Sequence, residues 1–197
     1  MSDENHAITV NFTRPFPVFP LESVVLLPHS MVWLYMFEPR YRQLVEECLD
    51  DSGQFAMAVF EGDEWKAIYE DEPPIGRAVC IAQIQQHQKE PSGNYRILVQ
   101  GICRGRIVEE YPPEGGRLYR EAQVEPAEPR PVPNEELMDV RQELLGLLER
   151  EPLHQLMSCR RVSSELAQRE VPTSALMEVV TLAVLNDRRF QYRLLDE

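Results

Sequence analysis

The stretch Pro126-Ala127-Glu128-Pro129-Arg130-Pro131-Val132-Pro133 constrains the fold of this chain more than any other feature. Proline cannot continue a helix and cannot donate to a sheet ladder, so a stiff connector is expected here. The residues on its two sides differ in kind. Residues 1–130 hold short runs rich in Val, Ile, Tyr and Phe, whereas 131–197 hold apolar residues at helical spacing. The expected fold class is therefore α+β, with a β-rich part over 1–130 and a helical part over 131–197 packed on it. A chain of 197 residues buries roughly 70% of its unfolded surface, so no metal or disulfide staple is needed.

Candidate strands are Phe16–Phe19, Met31–Phe37, Phe55–Glu61, Gly76–His87, Tyr95–Cys103, Arg106–Tyr111 and Leu118–Val124. Pro91-Ser92-Gly93-Asn94 is a turn signal that should join Gly76–His87 and Tyr95–Cys103 as a hairpin. Gly101 and Gly105 bracket Arg104 at an expected strand bend or bulge. Several non-equivalent strands of this kind suggest a small barrel or half-barrel. One helix interrupts them: Pro39 suits a first turn, and Tyr41, Leu44, Val45, Cys48 and Leu49 share a face that ends near Asp51. Beyond the prolines, Asn134 suits an N-cap ahead of the stripe Leu137, Val140, Leu144 and Leu148. A helix is expected around Ser164–Arg169, and Thr173 should cap Ser174–Leu185, where nine of the thirteen residues from Thr173 on are apolar. A helix that apolar must be buried against its neighbours. A last short helix after Asp187 carries Phe190 and Leu194.

Acids outnumber bases, 33 to 20, giving a net charge of −13 that divides as −9 and −4 between the two parts. Nucleic acid and anionic lipid both need clustered cations, and no basic run exceeds Arg160-Arg161 or Arg188-Arg189. Met1-Ser2-Asp3-Glu4-Asn5 lacks the basic and apolar regions of a secretory signal, and an apolar run such as Val32 to Phe37 is too short to span a bilayer. A cytoplasmic protein is expected.

Cys48, Cys80, Cys103 and Cys159 are scattered without a C-x-x-C pair and read as small hydrophobes rather than metal ligands. The chain has two lysines, Lys66 and Lys89, followed by Ala67 and Glu90, which excludes a Walker-type phosphate loop. Both sit in polar segments where an amine keeps a high pKa, so a Ser–Lys catalytic pair is not expected either. His29, after Leu27-Pro28 in an apolar turn, reads as a hydrogen-bonded structural residue. No catalytic residue, metal or cofactor is expected. The segment from Glu61-Gly62-Asp63-Glu64-Trp65 to Tyr69-Glu70-Asp71-Glu72 sets two aromatics among acids. It reads either as a solvated loop, with Trp65 folded back as a lid, or as a mobile contact loop.

Three stretches resemble a known family: Phe16-Pro17-Val18-Phe19-Pro20-Leu21, Val24-Val25-Leu26-Leu27-Pro28, and Leu34-Tyr35-Met36-Phe37-Glu38-Pro39-Arg40-Tyr41-Arg42. They are similar to the amino-terminal, substrate-binding domain of Lon proteases in its stand-alone form. Ile75-Gly76 before a long strand and Val99-Gln100-Gly101-Ile102-Cys103-Arg104-Gly105-Arg106-Ile107 add to the resemblance, which runs over roughly 15–185. Departures are His29 where a glycine is common, Tyr35 near a usual histidine, and the individual Trp65–Glu72 segment. The resemblance implies a PUA-like β pseudo-barrel with one inserted helix, followed by a C-terminal helical bundle. It also implies a non-catalytic role in gripping protein substrates, since Lon's ATPase and protease domains have no room here.

Two other functions stay open, a PUA-like RNA-binding module and an unrecognised hydrolase. The expected partners are unfolded or exposed protein segments, with a protease or other protein partner and the oligomeric state left open; nucleic acid and membrane are not expected. A client segment could add to an edge strand through main-chain hydrogen bonds. The candidate apolar contacts are Trp65, Tyr69, Trp33 and Tyr35. Against that, Trp33 and Tyr35 alternate on one strand and read as core residues, whereas Trp65 and Tyr69, set among acids, read as exposed. In Glu38-Pro39-Arg40 the carboxylate lies near a helix N-terminus, Pro39 presets φ, and Arg40 or Arg42 could bridge to the acidic loop.

Overall fold

One long strand, β5 (Tyr95–Tyr111), organises the sheet by serving different partners along its length. Its first half pairs antiparallel with β2 (Met31–Met36), its second half with β6 (Glu121–Pro126), and β4 (Ala78–Lys89) runs along most of it. β3 (Gln54–Val59) pairs antiparallel with β4 and parallel with β1 (Phe16–Leu21), where Val18 lies opposite Ala56. β1 returns to β6 through Phe16 and Ala122. Strands β1, β3, β4, β5 and β6 therefore close on one another, and β2 extends the sheet as an edge. The computed structural model describes residues 8–22, 24–62, 64–127, 132–155, 172–185 and 187–196.

The closed strands bury both faces. β3 is buried throughout: Phe55, Met57 and Val59 join the cluster that holds Leu27, Leu44 and Ile97, while Ala56 and Ala58 face a second cluster with Val18, Ile81 and Val124. Period-2 alternation sends large residues to one face and small ones to the other. Helix α1 (Pro39–Leu49) covers the first cluster with Tyr41, Leu44, Val45 and Cys48, the face that its sequence spacing predicts.

The expected division of Tyr95–Cys103 from Arg106–Tyr111 is corrected: they are one strand, with a register shift opposite Ile81/Ala82. Gly101 sits at that shift without ending the strand, and Gly105 keeps its register opposite Val79. A Cβ on Gly101 would lie 2.2 Å from the Leu27 carbonyl oxygen. Its backbone instead donates to Ser30 O (2.9 Å) and accepts from His29 N–H (2.8 Å). His29 is likewise corrected. Its side chain is exposed and its φ of +63° puts it in the left-handed region, the geometry for which glycine is favoured. Because the obstacle at Gly101 is backbone, Gly101→Ala should cost about 2 kcal/mol, read from the urea midpoint. A loss below about 0.5 kcal/mol, the range of a neutral surface change, would contradict that packing.

Past the connector, Asn134–Leu137 form a 3-10 turn that leads into α2 (Met138–Leu148), with Pro133 rather than Asn134 at the cap position. Helix α3 (Thr173–Val184) also departs from expectation: Pro172 holds the cap position, and Thr173 is fully buried as its first residue. Helix α4 (Arg188–Asp196) is capped by Asp187, whose Oδ1 accepts from the N–H groups of Arg189 (2.8 Å) and Phe190 (3.2 Å). The expected helix around Ser164–Arg169 lies outside the described residues. Leu148, Leu176 and Val180 form a small core between α2 and α3.

Both α3 and α4 touch the strands. Glu178 pairs with Arg104 on β5, with side chains 16% and 10% exposed, and Arg104 also donates to Leu194 O. Tyr192 Oη accepts from Ala78 N–H (3.0 Å), an approach open because Gly76 has no Cβ; one would sit 2.2 Å from that oxygen. Leu195 reaches the main cluster.

Candidate functional site

Every residue from Met31 to Phe37 is apolar or aromatic, so alternation alone does not choose which phase of β2 faces inward. The structure buries Leu34 and Met36 and leaves Met31, Trp33, Tyr35 and the following Phe37 50–60% exposed. Trp33 and Tyr35 are thus corrected from core to surface. They belong to a stripe of four large apolar side chains at every second position. The edge of β2 away from β5 pairs with no strand among the described residues. Apolar surface beside unpaired main-chain donors and acceptors is what an extended peptide needs in order to add as a strand.

Polar groups fix this stripe. The Tyr35 hydroxyl donates to Glu90 Oε2 (2.8 Å) and accepts from Asn94 Nδ2 (2.9 Å), both beside the expected hairpin turn. The Arg96 guanidinium stands 4.9 Å over the Trp33 ring, and Tyr35 and Phe37 are stacked at 6.3 Å.

Trp65 and Tyr69 are corrected in the other direction. They lie in the 3-10 segment Glu64–Asp71 and are half-buried rather than exposed. Trp65 lies flat on Phe60, with centroids 4.6 Å apart and planes 6° apart, and Tyr69 meets both rings edge-on. Both aromatics turn back onto Phe60, and contact with its ring outweighs the surrounding acids.

Glu38, Pro39 and Arg40 tie this segment to α1. Pro39 opens the helix, but Glu38 makes no side-chain cap bond. Instead Tyr69 donates to its Oε1 (2.6 Å) and the Arg40 guanidinium bonds its Oε2 (3.0 Å). Arg40 then lies 4.4 Å over Tyr69 and 4.8 Å over Tyr41. Burial and the bond to Glu38 both hold the Tyr69 phenol above its ordinary pKa. Of the two bridging candidates, Arg40 is the bridge, and Arg42 stays at the surface near Ser92 O (3.5 Å).

A cleft of about 430 Å³ opens between the end of β2 and the 3-10 segment, lined by Tyr35, Phe37, Glu38, Phe60, Trp65 and Tyr69 among others. Three of the four expected contact residues, Tyr35, Trp65 and Tyr69, are thereby brought together, and Trp33 continues the stripe outside the cleft. Phe37 and Phe60 were missed. Phe37 continues the i, i+2 phase of Trp33 and Tyr35, which was the available signal; nothing in the sequence marks Phe60.

The stripe and the cleft present aromatic contact surface. Cys48 is buried, donates to Gln54 O (3.3 Å), and its thiol is pushed up to about 12 by burial, so it holds little thiolate at neutral pH. Cys80 is buried and Cys103 half-buried, and Cys159 lies outside the described residues. Among the described residues no group of three His, Cys, Asp or Glu side chains could hold a metal ion, and no helix is long and apolar enough to cross a membrane.

Comparison with known proteins agrees with this architecture. The Lon N-terminal domain protein of Xanthomonas campestris superposes with a TM-score of 0.54 at 23% identity, over 92% of this chain and 97% of that one. The N-terminal domain of Mycobacterium avium complex Lon protease gives 0.52 at 18%, over 92% and 96%. In sequence, the Lon proteases of Escherichia coli K12 and Haemophilus influenzae are 29% and 30% identical over 94 and 119 residues, or 46% and 60% of this chain. Those alignments cover only 11% and 14% of the relatives' own length. Residues 15–196 match the substrate-binding domain of ATP-dependent protease La (LON), and the chain belongs to that family.

Proposed function

We propose that this chain is a non-catalytic module that binds unfolded or exposed protein segments, acts in the cytoplasm, and presents clients to a protease or other protein partner. The observation that carries this reading is the exposed stripe Met31, Trp33, Tyr35 and Phe37 on an edge strand, continuous with the aromatic cleft at Trp65 and Tyr69. A client would lie along β2 as an added strand and place alternate apolar side chains against the stripe and in the cleft. Main-chain pairing makes little demand on client sequence. Membership of a substrate-binding family supports the same reading. The β part would serve as a PUA-like pseudo-barrel over 1–130 and the helical bundle over 131–197 as its support, held by the Arg104–Glu178 pair and the Tyr192 contact.

Affinity should be roughly micromolar, because such contacts bury modest area and must order the client. The test is titration of a reduced, unfolded model protein against wild type and Trp65→Ala. Wild type should bind and Trp65→Ala should bind about fivefold more weakly, by loss of one aromatic wall. Equal binding by both would remove the 3-10 segment from the mechanism; no binding by either would remove the mechanism.

A further inference from the structure

The fold assembles a basic site that no run in the sequence announces. A cavity of about 740 Å³ lies between α4 and the strands, separate from the aromatic cleft apart from the shared wall of Phe60. Arg77, Arg106, Arg188, Arg189 and Arg193 all line it. They come from three places: the turn before β4, the second half of β5, and two turns of α4.

The carboxylates at the cavity offset only part of this charge. Asp196 is taken by Arg106 (2.7 Å), and Glu110 is drawn away by Arg120 (3.1 Å), which does not line the cavity. Glu61 is the remaining acid. Arg188 donates to a backbone oxygen, that of Glu22, and Arg193 lies 5.1 Å over the Phe190 ring. Among the described residues Arg77, Arg188 and Arg193 have no carboxylate within ion-pair distance. Arg189 and Arg193 also stand four residues apart on α4, a like-charge spacing that weakens a helix. A chain with net charge −13 thus concentrates cations, at a cost, around one concave volume.

We propose that this cavity binds a compact, multiply charged phosphate, either a free oligophosphate or the phosphate tail of a nucleotide. Guanidinium groups offer planar, paired donors to phosphate oxygens, and donors arriving from three sides converge on one centre. An acidic peptide fits less well, since an extended chain spaces same-side carboxylates about 7 Å apart along a line. The volume is in the usual range for small-molecule sites.

The test is calorimetric titration of the full chain at low salt with inorganic triphosphate, ATP and an Asp/Glu-rich peptide. Triphosphate should bind, and Arg77→Gln/Arg193→Gln should weaken it by about tenfold or more, since charge-assisted bonds are lost. The control pair Arg14→Gln/Arg96→Gln removes the same charge away from the cavity and should change affinity less than about twofold. Tighter binding of ATP than of triphosphate would assign the ligand as a nucleotide, and equal or weaker binding as an oligophosphate; both support the site. No binding of either phosphate at millimolar concentration, equal loss in the control pair, or preference for the acidic peptide would overturn it.

Discussion

Glu178→Ala is expected to lower the unfolding free energy by about 4 kcal/mol. Arg104 and Glu178 are both largely withdrawn from water, and they join α3 to the middle of β5. Removing the carboxylate takes an ion-pair partner from a guanidinium that is itself largely buried beside Leu194 O. The loss should appear as a lower urea midpoint with early exposure of α3 and α4. The double variant Arg104→Met/Glu178→Leu should recover most of the loss, because two apolar side chains of similar reach need no counter-ion. A single variant within about 1 kcal/mol of wild type would mean that this pair does not hold the helices to the strands. A double variant as unstable as the single would point to shape rather than charge.

Much of this fold was legible in the sequence, and the failures share a cause. The strand positions, the α1 face and the turn at Pro91–Asn94 follow from local pattern, since period, proline and glycine act within a few residues. The parallel pairing of β1 with β3 and the double role of β5 depend on partners far along the chain. Gly101 shows the difference: it read as a bend, yet its reason is the Leu27 carbonyl more than seventy residues earlier.

The site was legible in its residue types but not in its orientation. Trp33 and Tyr35 fell in a strand where both phases are apolar, so alternation could not say which faced water. Trp65 and Tyr69 were masked by their acidic neighbours, and only the position of Phe60 explains their partial burial. The arginine cavity was invisible for the same reason. Its members are spread from Arg77 to Arg193, and among them only Arg188 and Arg189 are adjacent in the sequence.

The edge-strand account makes its largest demand on the outer face of β2. Trp33→Ser/Phe37→Ser removes two rings that are 50% and 60% exposed and leaves the Tyr35 hydroxyl bonds in place, so the urea midpoint should stay within about 0.5 kcal/mol of wild type. Each aromatic anchor in such an interface contributes about 1.5 kcal/mol, so losing both should weaken binding of an unfolded client about a hundredfold. The most direct measurement is titration of a reduced, unfolded model protein against wild type and this variant under identical conditions. The account predicts roughly micromolar binding by wild type and a loss of about two orders of magnitude in the folded variant. Equal affinity of the two proteins would contradict it.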